Sequence, residues 1–170
     1  MINRVTVDIP EQELGSFKIQ HCKRKYGKET ILFHNKQHIM SDRPSEFIEH
    51  RPLFSETLRG NILVTGLGIS YVHNKILFSP EVERVIILEK YPEVVGLVWP
   101  YCKKDDRFEV ICYDSDDWEP TLHFDLAWMD SWTEHHSVPQ ELWWKKTEEK
   151  YSSHCDKIMF WKPTKLMNGG

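Results

Sequence analysis

The sequence has no apolar run near the roughly 20 residues that cross a bilayer. Its opening segment, MINRVTVDIP, lacks the apolar stretch of a signal peptide. Cysteine is sparse. Cys22, Cys102, Cys112 and Cys155 are widely scattered and form no C-x-x-C pair. That spacing argues against a disulfide framework and predicts free thiols in a reducing compartment, so the expected location is cytoplasmic. Positive charge is not in excess: 22 Lys and Arg against 26 Asp and Glu leave a net charge of −4. This argues against nucleic acid as the main partner, and the one basic run, HCKRKYGK at 21–28, reads as a solvated hairpin. No G-K-[ST] follows the glycines, which excludes a P-loop. The GLGIS stretch is not the G-x-S-x-G elbow of a hydrolase. Repeats and low-complexity tracts are absent as well.

What remains is a chain of 170 residues, 40% hydrophobic and 28% charged, as expected of one soluble globular domain. Seven tryptophans are many for this length and read mainly as core, with pocket walls as the other use.

Residues 1–58 read as an N-terminal β-strand and hairpin region. RVTVDI and SFKIQH alternate polar and apolar residues, as half-buried strands do. In KYGKETILFHNKQHIM, Gly27 marks a turn, TILF a strand and HNK a second turn. The segment SDRPSEFIEHRPLF reads as a short helix capped by Ser41 or Asp42, with Glu46 in its first turn and Pro52 at its end. These strands are available to pair with another copy, so a homo-oligomer is compatible with the sequence.

Residues 59–170 change pattern. NILVTGLG, VERVIILEK, RFEVICYD, FDLAWMD and DKIMFW read as strands. ISYVHNKILF, YPEVVGLVWPYC and VPQELWWKKTEEKY read as helices, the first with Ile69, Val72, Ile76 and Leu77 on one face. Strands alternating with helices predict an α/β fold: a Rossmann-like three-layer αβα with a mostly parallel sheet. Continuous apolar strands such as VIIL suit a sheet buried on both faces.

In such sheets ligands sit beyond the C-terminal strand ends, where strand order reverses. Those ends are Thr65 to Gly68, Glu89, Asp114 and Asp130, and three of the four carry a carboxylate. In TGLGIS, Gly66 would allow a tight turn and Gly68 a close backbone approach to a ligand. Taken alone, the loop fits a ligand cradle or an ordinary strand-to-helix turn. Glu89 follows Gly68 at about the 20-residue spacing from which an acid reaches ribose hydroxyls. A carboxylate at Asp114 could accept from an adenine amino group while the Ser115 backbone meets a ring nitrogen. Asp116 and Asp117 read as solvated turn acids, and Trp118 as either an adenine cover or a core residue. In DSWTEHH, Asp130, Glu134, His135 and His136 cluster. Adjacent histidines point apart, so a loop over the ligand mouth fits better than a metal site, with His135 as a candidate proton shuttle. His154 beside Cys155 meets the same objection as a nucleophile pair.

The motifs LVTGLG, VERVIILEKYPEVV, VICYDSDDW and FDLAWMD resemble the class I S-adenosylmethionine-dependent methyltransferase fold, and most of all its spermidine synthase branch. KYGKETILFHNKQHIMSDRPSEF is similar to the strand-turn-strand signature that precedes the Rossmann-like domain in that branch, and HRPLF to its HPPLF segment. Short proteins of this kind occur in phages and bacteria. The resemblance covers roughly residues 17–131 and implies S-adenosylmethionine as cofactor. Gly66 and Gly68 would line its methionine part, Glu89 would hold its ribose and Asp114 would meet its adenine, with Thr65, Leu67, Lys90 and Ser115 as further cofactor-binding residues. Asp130 falls where aminopropyltransferases carry the acid that deprotonates the attacking amine. The implied activity is methyl or aminopropyl transfer to a small-molecule acceptor, an amine among the candidates, with no metal and no membrane involved. The alternative is a protein that binds the cofactor or a nucleoside without turnover, as a sensor, a sequestering protein or through a partner. A nicotinamide-dependent dehydrogenase is a third reading, disfavoured by the missing third glycine.

Overall fold

A computed structural model describes residues 4–133 and 136–164. The chain forms two sheets. The first is antiparallel, built from β1 (Gln12–Leu14), β2 (Phe17–Arg24), β3 (Gly27–His34) and β4 (Gln37–Ser41), in that order. Helix α1 (Pro44–Phe54) then leads into the second sheet. Its strands are β5 (Gly60–Thr65), β6 (Val82–Glu89), β7 (Phe108–Cys112), β8 (Phe124–Met129) and β9 (Cys155–Phe160), arranged β7-β6-β5-β8-β9. All four pairings are parallel. The connections carry α2 (His73–Leu77), α3 (Pro92–Val98) with a 3-10 turn at Trp99–Tyr101, and α4 (Gln140–Tyr151). Strand order reverses at β5, so the crevice predicted from the sequence opens between the ends of β5 and β8. Among the described residues, no helix is long and apolar enough to cross a membrane.

The period-2 pattern of the central strands divides their side chains between two cores. Ile62, Val64, Val85, Ile87, Leu126 and Trp128 face α2, α3 and the antiparallel sheet, whose Phe17, Ile19 and Leu32 join the same cluster. Leu63, Ile86, Leu88, Ala127 and Met129 face α4 through Trp143 and Tyr151. Both faces are therefore covered, which is why these strands are continuously apolar. Trp118 belongs to the α4-side core with Phe124 rather than to a ligand surface.

Three local expectations are corrected. RVTVDI forms no strand. Its alternation buries Ile9 and part of Val7, but side chains replace the ladder. The carboxylate of Asp42 accepts the Val7 N–H (3.1 Å), and Arg4 Nη2 reaches Asp42 Oδ1 (2.7 Å) and the Lys28 carbonyl (2.5 Å). Asp42 also accepts the Thr30 N–H (2.9 Å), so it anchors the N-terminal arm instead of capping α1. Arg43 occupies the cap position without a side-chain cap bond, and Pro52 lies inside the helix rather than ending it. The helix expected from Ile69 shrinks to α2. Gly66 (φ 86°), Gly68 (φ 50°) and Ser70 (φ 61°) are left-handed, a backbone incompatible with a right-handed helix.

Asp42 is almost fully buried and serves three donors from two segments, the N-terminal arm and β3. Removing a buried charge partner costs about 3–5 kcal/mol. Asp42→Ala should lower the unfolding free energy by that order in urea denaturation. Asp8→Ala, whose partner Lys28 lies 3.4 Å away on an exposed surface, should leave it unchanged within error.

Candidate functional site

A cavity of about 680 Å³ lies beyond the C-terminal ends of the parallel strands. The antiparallel sheet walls it with Phe17, His34 and Met40, and α1 with Glu46, Glu49 and His50. Gly66, Leu67, Gly68, Glu89, Lys90, Asp114, Ser115 and Asp130 all line it. Residues spread over more than a third of the chain thus meet around one space. Thr65 does not line the cavity. It is fully buried, and its carbonyl and hydroxyl oxygens both accept the Asp130 N–H (3.0 and 3.1 Å), fixing the end of β8 against β5.

Glu89 holds the glycine loop. Its Oε2 accepts the Leu67 N–H and its Oε1 the Tyr91 N–H, each at 3.0 Å. Burial raises its pKa, and backbone N–H groups of Tyr91, Leu67, Gly68 and Lys90 pull it back. Each oxygen keeps a lone pair beyond the one already used. At Gly66 the left-handed backbone is obligatory, and a β-carbon there would strike the Asp130 carbonyl. At Gly68 it would strike the sulfur of Met40, which also accepts the Ile69 N–H (3.4 Å). The N-terminal sheet therefore touches the loop directly.

The Asp114 end is more open. Asp114 Oδ1 accepts the Asp116 N–H (2.9 Å), and its Oδ2 lies 3.8 Å from Lys90 Nζ. Ser115 is buried, with its hydroxyl 2.9 Å from that of Ser131 and its carbonyl accepting the Tyr151 hydroxyl (2.6 Å). Asp117 is exposed, as expected of a turn acid. Asp116 is exposed too, yet it bonds Trp143 Nε1 and His136 Nε2, each at 2.9 Å, and so ties the loop after β8 to α4. His136 Nδ1 accepts the Val138 N–H (3.1 Å), so its proton sits on Nε2, facing Asp116. Ser131, Trp132, Thr133 and His136 line the cavity mouth. Glu134 and His135 lie outside the described residues. Among the described residues, no three His, Cys, Asp or Glu side chains gather in a way that could hold a metal ion.

The opposite end of the cavity holds an acidic group that sequence reasoning missed. His50 Nε2 lies 3.2 Å from Asp130 Oδ2, and its Nδ1 lies 3.0 Å from the Glu46 carbonyl. Glu46 and Glu49 are buried beside it. The available signal was the Glu46–His50 spacing, which puts both on one helix face; nothing local announced Asp130 as their partner. Burial, with Glu49 and Asp130 nearby, pushes the Glu46 carboxyl up to about 7 although His50 opposes this. Burial also raises Asp130 against the pull of His50. For His50, burial favours the neutral ring, but the hydrogen bond and charge of Asp130, and then Glu46, outweigh it and raise the pKa.

These shifts set a stability slope. A carboxyl raised in the folded state binds its proton there at pH values where the unfolded chain has lost it. Stability therefore falls as pH rises from the usual carboxylate range to about 7. The raised His50 acts in the same direction, since its contribution is lost as pH climbs through its folded pKa. The unfolding free energy should drop by roughly 2–3 kcal/mol between about pH 5 and pH 8. Glu46→Gln should flatten much of that slope. Equal stability at both pH values would contradict the assignment.

No protein-family model matches the sequence, and no curated protein matches it. Solved structures do match in shape. A spermidine synthase in complex with the transition-state analogue AdoDATO superposes with a TM-score of 0.60 at 16% identity, covering 91% of this chain and 54% of that one. The N-methyltransferase NodS from Bradyrhizobium japonicum WM9 gives 0.55 at 15% identity, over 70% and 68%. A spermidine synthase from Thermotoga maritima gives 0.51 at 17% identity, over 70% and 46%. The chain thus spans about half the length of the spermidine synthases it matches. At these identities the likeness establishes the fold. The chain has the class I S-adenosylmethionine-dependent methyltransferase fold, with spermidine synthases among its structural relatives.

Proposed function

We propose that the protein binds S-adenosylmethionine in the strand-end cavity and transfers its methyl or aminopropyl group to a small acceptor. The observation that carries this reading is the convergence on one cavity of the glycine loop, Glu89, Asp114 and Asp130. The volume of about 680 Å³ lies within the range of small-molecule sites, which runs from about 300 to 1,000 Å³.

The donor set suits the group. Glu89, already fixed by two backbone N–H bonds, has lone pairs left for two ribose hydroxyls. In this reading Asp114 and Ser115, which line the same cavity, would meet the adenine edge, and the Leu67–Gly68 backbone the amino-acid end. When bound, the cofactor supplies an electrophilic carbon on a sulfonium. The chain's own task is to hold an acceptor in line with it and to take a proton. In this reading Asp130, at the end of β8 between the glycine loop and α1, takes that proton. Glu46, Glu49 and Asp130 together make this end of the cavity acidic, which favours an amine acceptor over an anionic one.

Calorimetric titration with S-adenosylmethionine, its demethylated product and methylthioadenosine, with NAD as control, tests the reading. The sulfonium family should bind and NAD should not, with a methylthioadenosine preference pointing to aminopropyl transfer. Glu89→Ala should weaken binding by about 100-fold or more, roughly 2.7 kcal/mol. Asp130→Asn should leave binding intact. Tight NAD binding, or unchanged affinity in Glu89→Ala, would overturn the assignment.

A further inference from the structure

His50 lies on α1, 80 residues from Asp130 in sequence, and its ring is completely buried. Both of its nitrogens face oxygen. The Glu46 carbonyl can only accept, so Nδ1 carries a hydrogen. Nε2 faces the Asp130 carboxyl, so one further proton must lie between them. The pair is therefore either imidazolium with carboxylate or neutral imidazole with carboxylic acid.

The surroundings decide between the two. The rings of Tyr71, Trp128 and Phe54 enclose the imidazole at centroid distances of 4.8, 5.5 and 6.1 Å, which keeps water away. Titratable groups reach it from three directions. On its own helix Glu46 Oε1 lies 3.5 Å from Nδ1, and Glu49 is the preceding residue. Asp130 approaches from the end of β8, and the Tyr71 phenol from the loop after β5. Arg43 points at Glu46 Oε2 from 4.0 Å and is itself 44% exposed. A cation on His50 thus faces the Asp130 carboxyl at Nε2 and, at Nδ1, the Glu46 carbonyl with the Glu46 carboxyl beside it. Glu49 is held in place because its Oε1 accepts the Thr164 N–H (3.0 Å) and hydroxyl (2.5 Å).

We propose that His50 is the positioning residue of Asp130: as an imidazolium it grips Oδ2 and balances the carboxylate's charge, so that Oδ1 is the oxygen that takes a proton from the acceptor. Burial and the nearby Glu49 push the Asp130 carboxyl toward its protonated form, which cannot accept, and the His50 cation opposes that push. When Oδ1 takes the proton, the pair gains one positive charge, and Glu46 stands across the ring to share it. The acceptor's part in this rests on the transferase reading; the charge state of the pair does not.

The test needs no substrate. Protein carrying 15N in its histidine rings and 13C in its aspartate carboxyls is titrated by NMR, with the His50 signal identified by its loss in His50→Gln. Should that variant fail to fold, contacts to the Tyr71 and Trp128 rings identify the signal instead. Both ring nitrogens of His50 should be protonated at about pH 7, above the ordinary range for a histidine cation. In Asp130→Asn the ring should become neutral with its hydrogen on Nδ1, its apparent pKa falling because the Asp130 hydrogen bond and charge are lost. In His50→Gln the Asp130 carboxyl should keep its proton to higher pH than in the natural protein, since the counter-charge that holds it down is gone. A neutral His50 at about pH 6 in the natural protein would overturn the proposal, as would a titration unchanged by Asp130→Asn. Failure to bind S-adenosylmethionine alongside an intact ion pair would refute the transferase reading and leave the pair standing.

Discussion

A carboxylate buried at the end of one strand holds the loop that follows its neighbour. Glu89 leaves only 8% of its surface exposed, and each of its oxygens takes a backbone N–H from a different segment, Leu67 after β5 and Tyr91 before α3. A hydrogen bond to a charged group contributes about 1.5–3 kcal/mol, and a buried carboxylate without such bonds would cost more than that. The interaction therefore fixes the loop and the strand end together. Gly66 closes the turn by donating to the Leu88 carbonyl (2.8 Å), next to Glu89 in the chain. A ligand arriving at this crevice meets a backbone already in place, and the ordering cost of binding is correspondingly small.

The cavity has two ends of different character. At the Glu89 and Asp114 end, recognition groups are backbone amides and carboxylates with spare lone pairs, suited to a neutral polar nucleoside. At the α1 end, Glu46, Glu49 and Asp130 crowd around a single histidine inside an aromatic shell. Burial pushes the Glu46 and Asp130 carboxyls up, and the neighbouring carboxyls add to that push. A cationic group entering there would relieve it. In the proposed function the fold divides the labour accordingly, with the parallel strand ends serving the cofactor and the N-terminal region with α1 serving the acceptor.

The sequence made the parallel sheet legible because burial on both faces writes each strand as an unbroken apolar run, as in NILV and VIIL. The strand-end carboxylates followed from topology alone, since a doubly wound sheet brings Glu89, Asp114 and Asp130 to one edge. The local readings failed for identifiable reasons. RVTVDI has a strand's alternation, but Arg4 and Asp42 satisfy its backbone in place of a neighbouring strand. Ile69 and Val72 repeat at a helix's period, but left-handed Gly66, Gly68 and Ser70 leave only His73–Leu77 helical. His50 was invisible because its meaning depends on a partner 80 residues away. Its neighbours Glu46 and Glu49 read as ordinary helix acids until α1 is packed over the end of β8.

The central claim is that one ligand joins the glycine loop to the ends of β6 and β7. Backbone amide shifts of 15N-labelled protein titrated with the demethylated cofactor product test it most directly. The account predicts perturbations concentrated at Leu67, Gly68, Glu89, Lys90, Asp114 and Ser115, with α4 and the far edge of the antiparallel sheet unmoved. Saturable binding whose perturbations fall elsewhere, or no perturbation at millimolar ligand, would contradict it.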